Sequence, residues 1–445
     1  MDLLNMIRDA GVIGAGGAGF PTHAKLTSKA EYLLLNGAEC EPLLRVDQQL
    51  LDRFAAEIIQ GLEAARQYLK ARKALIGIKS KHGEVIQRLR YQILAQGLEA
   101  NLEVKELRDI YPAGDEQVLV YELTGRIVPE ASIPLKVGCV VINAETALNV
   151  FHALAGKAVT ETYITVAGDV PRRLTLKVPV GVPIRDVLRQ CGLASFEDYA
   201  VIDGGPMMGA LLDNLDGHVT KKSKGYILLK KEHFLIRRKS LKLEQARVIS
   251  KTACEQCRMC TDLCPRYLLG HNLQPHKMMQ ALSYNLDNHE EQQTAQLCCE
   301  CNACEMFSCP ANLHPKSVNI FYKRKLAAEG IRYQPPSREM SARSARDYRL
   351  IPSKRLVAKI GLTDFDRPAP LTEADFQPEY LEIALRQHIG AAAVPVVAVG
   401  EQVQAGQMIG KIPDNSLGAA VHASLAGTVR EIKENSIVIK VGSYV

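Results

Sequence analysis

Eight of the chain's twelve cysteines fall in two runs, Cys254-x2-Cys257-x2-Cys260-x3-Cys264-Pro265 and Cys298-x2-Cys301-x2-Cys304-x4-Cys309-Pro310. Such short spacers let three thiolates from one tight turn reach three irons of a cubane, while the fourth cysteine, followed by Pro, opens a departing segment. Two [4Fe–4S] clusters are therefore expected, and where two such runs stand together the fourth ligand crosses to the other cluster. On that rule Cys254, Cys257, Cys260 and Cys309 hold one cluster, and Cys298, Cys301, Cys304 and Cys264 hold the other. A pair of structural zinc sites also uses CxxC pairs, but zinc leaves the third cysteine of each run and both Cys-Pro pairs without a purpose. Two irregularities stand out. The last spacer is four residues, Glu305 to Ser308, and Cys299 adjoins Cys298. The x2 spacing to Cys301 selects Cys298 as ligand and leaves Cys299 a bystander, with ligand exchange between the two open.

The elements that must hold these runs and feed them lie on both sides. Upstream, Tyr32 to Leu35 reads as a buried strand, Asp47 to Ala71 as one long helix with apolar residues at 3.6-residue spacing, and Ala74 to Lys79 as a strand. A helix from Glu84 to Leu98, a strand near Leu102 to Leu107, a helix after Gly114, a strand from Val137 to Ile142 and a helix from Glu145 to Leu154 follow. That alternation predicts a Rossmann-like domain over 1–160, a mostly parallel sheet with ligands at the carboxyl ends of its strands. The loops there carry Gly14-Ala-Gly16-Gly17-Ala-Gly19-Phe20-Pro21, Asn36-Gly-Ala-Glu39-Cys-Glu41-Pro42, Tyr111-Pro-Ala-Gly114-Asp-Glu116 and Asn143-Ala-Glu145-Thr146. Glycines allow backbone N–H groups to approach a phosphate or a flat ring, which suggests a nucleotide-like ligand, although the GxGxxG alone also describes a plain glycine-rich turn.

From 161 to 232 half-exposed strands surround one short helix, the pattern of a small β-grasp module. There Asp203-Gly-Gly-Pro-Met-Met-Gly209 reads as a tight structural turn. Residues 233–250 read as a solvated basic linker with Arg237, Arg238, Lys239 and Lys242. The cluster domain spans 251–330, with a helical insert from Lys277 to about Gln296 and a closing helix from Val318 to Ala328. Residues 331–378, rich in Pro, Ser, Arg and Asp, read as an extended connector lying on other domains. From 379 to 445 short strands separated by glycines indicate a small β-sandwich.

Composition fits this multidomain reading. At 445 residues the chain exceeds one ordinary core. The net charge of +6 is mild and its lysines and arginines are dispersed among acids, which argues against a nucleic-acid partner. Cysteines outside the runs, Cys40, Cys139 and Cys191 besides Cys299, are scattered, a usage that belongs to a reducing cytosol. Met1 to Ala10 lacks the pattern of a secretory signal. The longest apolar run, Ala391 to Val399, is interrupted by Pro395 and is far short of the roughly 18 residues a membrane span needs.

In combination, GAGGAGFPTHAKL, NGAECEP, YPAGDEQ and NAET resemble the FMN- and NADH-binding domain of the complex I flavoprotein subunit and of the Rnf complex C subunit. The resemblance implies that Gly14, Gly16, Gly17 and Gly19 line FMN and the dinucleotide, that Lys25 meets the FMN phosphate and that Phe20 stacks on incoming NADH. Asn36, Glu39 and Glu41 would surround the isoalloxazine or nicotinamide, with Tyr111, Gly114, Glu116, Asn143 and Thr146 completing the pocket. The complex I pattern has an acid where Ala38 stands. The β-grasp stretch is similar to the soluble-ligand-binding (SLBB) domain of the same families, and the last segment to the lipoyl-like barrel-sandwich hybrid domain of the Rnf C subunit. In that protein the barrel-sandwich precedes the flavin domain, whereas here it ends the chain. His422-Ala-Ser-Leu has no swinging-arm lysine.

The domain order, together with the long spacer in CNACEMFSCP, resembles the cobalamin reductase family of propanediol-utilisation microcompartments. The resemblance implies an NADH-dependent oxidoreductase that passes electrons through FMN and two [4Fe–4S] clusters to the cobalt of cobalamin. No acid–base catalytic residue is expected, since the cofactors carry the chemistry. It further implies a homo-oligomer in the cytoplasm, within a microcompartment lumen. The implied partners are a cob(I)alamin adenosyltransferase, shell proteins and the corrinoid. An Rnf-type protein docked to a membrane complex and a non-enzymatic cluster-bearing adaptor are the alternatives.

Overall fold

The computed structural model describes residues 2–337 and 339–442. Tyr32–Gly37, Lys73–Lys79, Leu102–Leu107 and Cys139–Asn143 form a wholly parallel sheet, with Tyr32–Gly37 paired on one side to Lys73–Lys79 and on the other to Cys139–Asn143. Leu33 and Leu35 enter the core on one face and Leu34 the core on the other. A sheet covered on both faces explains why this strand is apolar without alternation. The helix expected from Asp47 to Ala71 is two helices, Val46–Arg53 and Ala55–Leu69. Phe54 breaks them at φ −120°, ψ 33°, and its ring packs on Tyr163 with centroids 6.0 Å apart. A tertiary contact thus interrupts a periodicity that runs through the break undisturbed.

The next module is a β-grasp. Glu161–Gly168 pairs antiparallel with Leu174–Pro179 and parallel with Gly225–Lys230, which in turn pairs antiparallel with Tyr199–Asp203. Its core is continuous with that of the C-terminal sandwich: Ile164, Leu176 and Leu228 pack in one cluster with Leu381, Val429 and Ile439. The sandwich consists of a four-stranded sheet, Tyr380–Ala384, Ser436–Val441, Gly427–Ile432 and Gln402–Val403, and a three-stranded one, Val394–Pro395, Met408–Lys411 and Val421–His422.

The stretch read as a solvated linker is folded. Phe234–Lys239 and Leu243–Ala253 are helices. Arg238 is buried and donates to the carbonyls of Glu305, Asn312 and Leu313. A guanidinium has five donors and no acceptor, so it can satisfy three chain carbonyls at once, a role that basic composition conceals.

The cluster domain is built from short helices that follow the cysteine runs and two longer ones, Pro275–Tyr284 and Pro315–Ala328. The connector lies across the other modules. Ile351–Pro352 pairs with Ile110–Tyr111, and Leu371–Thr372 extends the β-grasp sheet beside Leu174–Pro179. Leu356, Ile360 and Leu362 share one core with Tyr111, Met207 and Cys301. Flavin-type domain, β-grasp, cluster domain and connector therefore meet in a single apolar cluster. Among the described residues no helix is long and apolar enough to cross a membrane.

Candidate redox site

The loops at the carboxyl ends of the parallel strands converge. Ala15 N–H donates to Thr146 Oγ1 at 3.0 Å, which ties the glycine loop to the turn after Cys139–Asn143. Gly16 lies over Asn143: a Cβ there would come within 3.3 Å of its side-chain nitrogen. Asn36 Nδ2 donates to the Gly114 carbonyl at 2.9 Å. Gly17, at φ +58°, has nothing within 4 Å of a would-be Cβ and so leaves open space at the loop tip. Phe20, Lys25 and Glu116 line one cavity of about 320 Å³ with an apolar wall of Ile133, Pro134 and Leu135. Across it Lys25 Nζ stands 3.3 Å from Glu116 Oε1. The glycines of the loop do not line this cavity, and Gly19 abuts Lys222 and the Gln387 carbonyl. The aromatic face and the lysine that do line it fit a flat ring carrying a phosphate, as in FMN.

Three of the expected pocket residues, Glu39, Glu41 and Tyr111, are engaged elsewhere, Tyr111 being buried with its hydroxyl on the Cys301 carbonyl. Glu39 accepts from the N–H groups of Asp47 and Gln48 at 3.1 and 3.2 Å, capping the helix Val46–Arg53. Glu41 accepts from Met207 N–H at 2.8 Å and Met208 N–H at 2.9 Å, so it belongs to the joint with the β-grasp loop. That joint depends on Gly205, where a Cβ would lie 2.1 Å from the Glu41 carboxylate. Burial raises both carboxyls above their usual range against the pull of these N–H groups.

The thiols form two groups. Cys254, Cys257, Cys260 and Cys309 line one small cavity, and only Cys257 among these four is exposed. Cys264 packs with Cys298 around Leu273 and Leu297. The sulfur of Cys304 interacts with both and also with Cys260 of the first group, and that of Cys301 with Cys264 and Cys304. Burial pushes the Cys260 thiol up to about 12 and Cys298 to about 11. Buried thiols of this kind favour a cationic centre that takes them as thiolates, and two groups of four sulfur donors suit a pair of iron–sulfur clusters. Among the described residues no three or more His, Cys, Asp or Glu side chains close on a single metal ion. The four thiols of the first group surround a space instead.

Cys298 and Cys299 both reach the second thiol group: the sulfurs of both interact with Cys264, and Cys299 also hydrogen-bonds the Cys301 sulfur. Cys298 Sγ accepts from Glu300 N–H at 3.4 Å on the Cys264 side. Cys299 packs toward Tyr111 and Cys40 in the core shared with the flavin-type domain. There its hydrogen bond with the Cys301 sulfur, helped by Arg266, draws its thiol below the usual value although burial opposes the shift.

Sequence reasoning missed the links between the two halves. Tyr111, at the end of Ile110–Tyr111, donates its hydroxyl to the Cys301 carbonyl. Asp115 Oδ2 meets Arg266 Nη2 at 2.8 Å with both side chains nearly buried. Burial opposes the Arg266 charge, and Asp115 and the Cys299 sulfur more than offset it. Asp115 Oδ1 meanwhile caps the helix Glu116–Thr124 through Gln117 and Val118 N–H. An Asp just ahead of a helix was a readable cap signal. Its partner, 151 residues away, had no local signature.

Comparison with known proteins matches each part. Residues 7–152 match the family model of the Nuo51 FMN-binding domain, 253–314 that of the 4Fe-4S dicluster domain and 367–443 that of the RnfC barrel sandwich hybrid domain. The cobalamin reductase PduS of Citrobacter freundii is 44% identical over 435 residues, 97% of this chain and 95% of that protein. The cobalamin reductase PduS of Salmonella typhimurium is 42% identical over 440 residues, 98% of this chain and 96% of its own length. The C subunit of the Na(+)-translocating ferredoxin:NAD(+) oxidoreductase complex of Acetobacterium woodii is 35% identical over 274 residues, 60% of this chain and 58% of that protein.

Proposed function

This chain belongs to the cobalamin reductase family, and from that premise we propose that it moves electrons from NADH through FMN and two [4Fe–4S] clusters to the cobalt of a corrinoid. The balance is simple: NADH gives NAD+, a proton and two electrons, and taking cobalt(III) to cobalt(I) consumes two. FMN, when bound, accepts the pair and can release it singly, as iron–sulfur clusters require.

The chain's own residues supply position. Gly14, Gly16, Gly17 and Gly19 with Lys25 would hold the flavin, Phe20 would face the nicotinamide, and Asn36, Gly114, Glu116, Asn143 and Thr146 would close the pocket. Glu39 and Glu41 would act from behind, by fixing the loop that bears them. Cys254, Cys257, Cys260 and Cys309 would carry one cluster, and Cys264, Cys298, Cys301 and Cys304 the other. The observation that carries this reading is that the loop Tyr111 to Glu116, whose Glu116 lines the cavity beside Phe20 and Lys25, also grips the second cysteine run, through Tyr111 to Cys301 and Asp115 to Arg266. On the same reading the reduced corrinoid passes to a cob(I)alamin adenosyltransferase for regeneration of adenosylcobalamin, inside a microcompartment bounded by shell proteins, with the reductase itself a homo-oligomer.

The test is anaerobic turnover of the purified holoprotein with NADH and hydroxocobalamin, with flavin and iron counted after denaturation. Cobalamin reduction that depends on NADH supports the reading. Flavin bleached by NADH while cobalamin stays oxidised would contradict it.

A further inference from the structure

Between the cluster domain and the strap 339–349 lies a cleft of about 620 Å³, inside the roughly 300–1,000 Å³ typical of ligand sites. Asp262, Glu339, Ser341, Arg343, Ser344 and Arg349 make its wall mostly polar. Tyr267 forms one side and separates the cleft from the thiols, since it packs with Cys298 against Cys264. The Arg343 guanidinium stacks 3.7 Å from the Tyr267 ring centroid, and Arg258 Nη2 donates to its hydroxyl at 2.9 Å. Arg258 also lines the cavity of the first thiol group. The cleft is therefore one side chain, Tyr267, away from the second thiol group and two, Tyr267 and Arg258, away from the first, and its lining shares no residue with the flavin cavity beside Phe20.

The wall is held in place by specific contacts. Arg343 N–H donates to the Leu268 carbonyl at 3.0 Å and Arg343 Nε to the Tyr267 carbonyl at 2.9 Å. The strap also presses on Gly270, at φ +98°, where a Cβ would meet the Ser341 carbonyl at 2.3 Å. Arg349 is exposed and has no carboxylate partner among the described residues. This arrangement asks for a large ligand edged with hydrogen-bonding groups and carrying one anionic group.

Resting on the reading of the chain as a cobalamin reductase, we propose that this cleft is the docking site of the corrinoid. The amide-edged rim of the macrocycle meets the polar wall, Arg349 takes the phosphodiester of the nucleotide loop, and Tyr267 stands between the ligand and the thiol groups.

The experiment is equilibrium binding of hydroxocobalamin, and of cobinamide, which lacks the nucleotide loop, to anaerobic holoprotein. Wild type, Arg349→Glu and Ser344→Trp are compared. Flavin content, iron content and NADH–ferricyanide turnover report whether each variant is intact. Arg349→Glu should weaken hydroxocobalamin binding roughly tenfold, the scale of one charge-assisted contact, and leave cobinamide binding unchanged. Ser344→Trp, which fills the cleft from an exposed position, should weaken both, with the three controls unmoved. Intact variants that bind hydroxocobalamin as tightly as wild type would overturn the cleft assignment while leaving the reductase reading in place. A wild-type protein that neither binds nor reduces any corrinoid would overturn the reductase reading itself.

Discussion

The Tyr111 hydroxyl donates to the backbone carbonyl of Cys301, so a loop of the flavin-type domain is fastened directly to the second cysteine run. Burial, reinforced by Glu41 and by the neighbouring sulfurs, pushes the phenol well above its usual range. It is therefore a permanent donor. Tyr111→Phe removes this bond while keeping the ring in the shared core. It should cost about 1–2 kcal/mol, retain flavin and iron, and shift the reduction potential of the cluster on the second run. Denaturation and a potentiometric titration followed by electron paramagnetic resonance would read both effects; an unmoved potential would reduce the contact to simple packing.

Asp115 does two things with two oxygens: it caps a helix and pairs with Arg266. Asp115→Ala should cost about 3–5 kcal/mol, because a buried guanidinium loses its carboxylate. Asp115→Asn keeps a good cap residue without the charge, so it should recover only about 1 kcal/mol of that loss. Thermal denaturation of the two variants separates cap from charge, and equal stability of Asn and wild type would show the pair to be dispensable.

Spacing makes Cys298 the expected ligand of the second run, and both it and Cys299 lie beside Cys264. Cys298→Ala should lose the cluster of the second run, as should Cys264→Ala, whereas Cys299→Ala should retain iron and sulfide for both clusters. Spectra showing that Cys264→Ala disturbs only the cluster of the first run would refute the crossed ligand sets.

Lys221 links three segments. Its Nζ donates to the carbonyls of Gly11 at 2.8 Å and Ala420 at 3.0 Å, both neutral acceptors. Burial lowers its pKa to about 7. The neighbouring imidazoles of His388 and His422, lowered by burial first and then by Lys221 to about 4 and about 3, stay neutral near that pH. Below pH 7 Lys221 is charged in both states. Between there and its unfolded value of about 10.4 the unfolded chain holds the extra proton, so stability rises with pH. The slope is at most about 1.4 kcal/mol per pH unit. Between pH 7 and pH 9 the wild-type Tm should climb by a few degrees relative to Lys221→Met, in which this dependence vanishes; parallel curves would count against it.

What the sequence made legible was local. Cysteine spacing, the glycine loop and the apolar run Leu33 to Leu35 each carry their meaning within a few residues, and the parallel sheet followed from their order. What it concealed was long-range. Glu41 reads as a pocket acid, but its partners are the N–H groups of Met207 and Met208, which any residue type except proline would supply. Arg238 reads as a solvated charge because nothing nearby in sequence announces the three carbonyls it serves. The cleft beside Tyr267 has a wall from the connector, a stretch without periodicity whose position is set by Gly270 and the Leu268 carbonyl rather than by its own pattern.

The order in which electrons move separates a relay through both clusters from direct reduction by flavin. Anaerobic stopped-flow mixing of the holoprotein with NADH and hydroxocobalamin, with flavin, cluster and cobalt absorbance followed together, measures it directly. The expected sequence is loss of flavin colour, then of cluster colour, then appearance of reduced cobalamin. Reduced cobalamin appearing at full rate in a Cys264→Ala protein that lacks the second cluster, or clusters that stay oxidised throughout turnover, would contradict it.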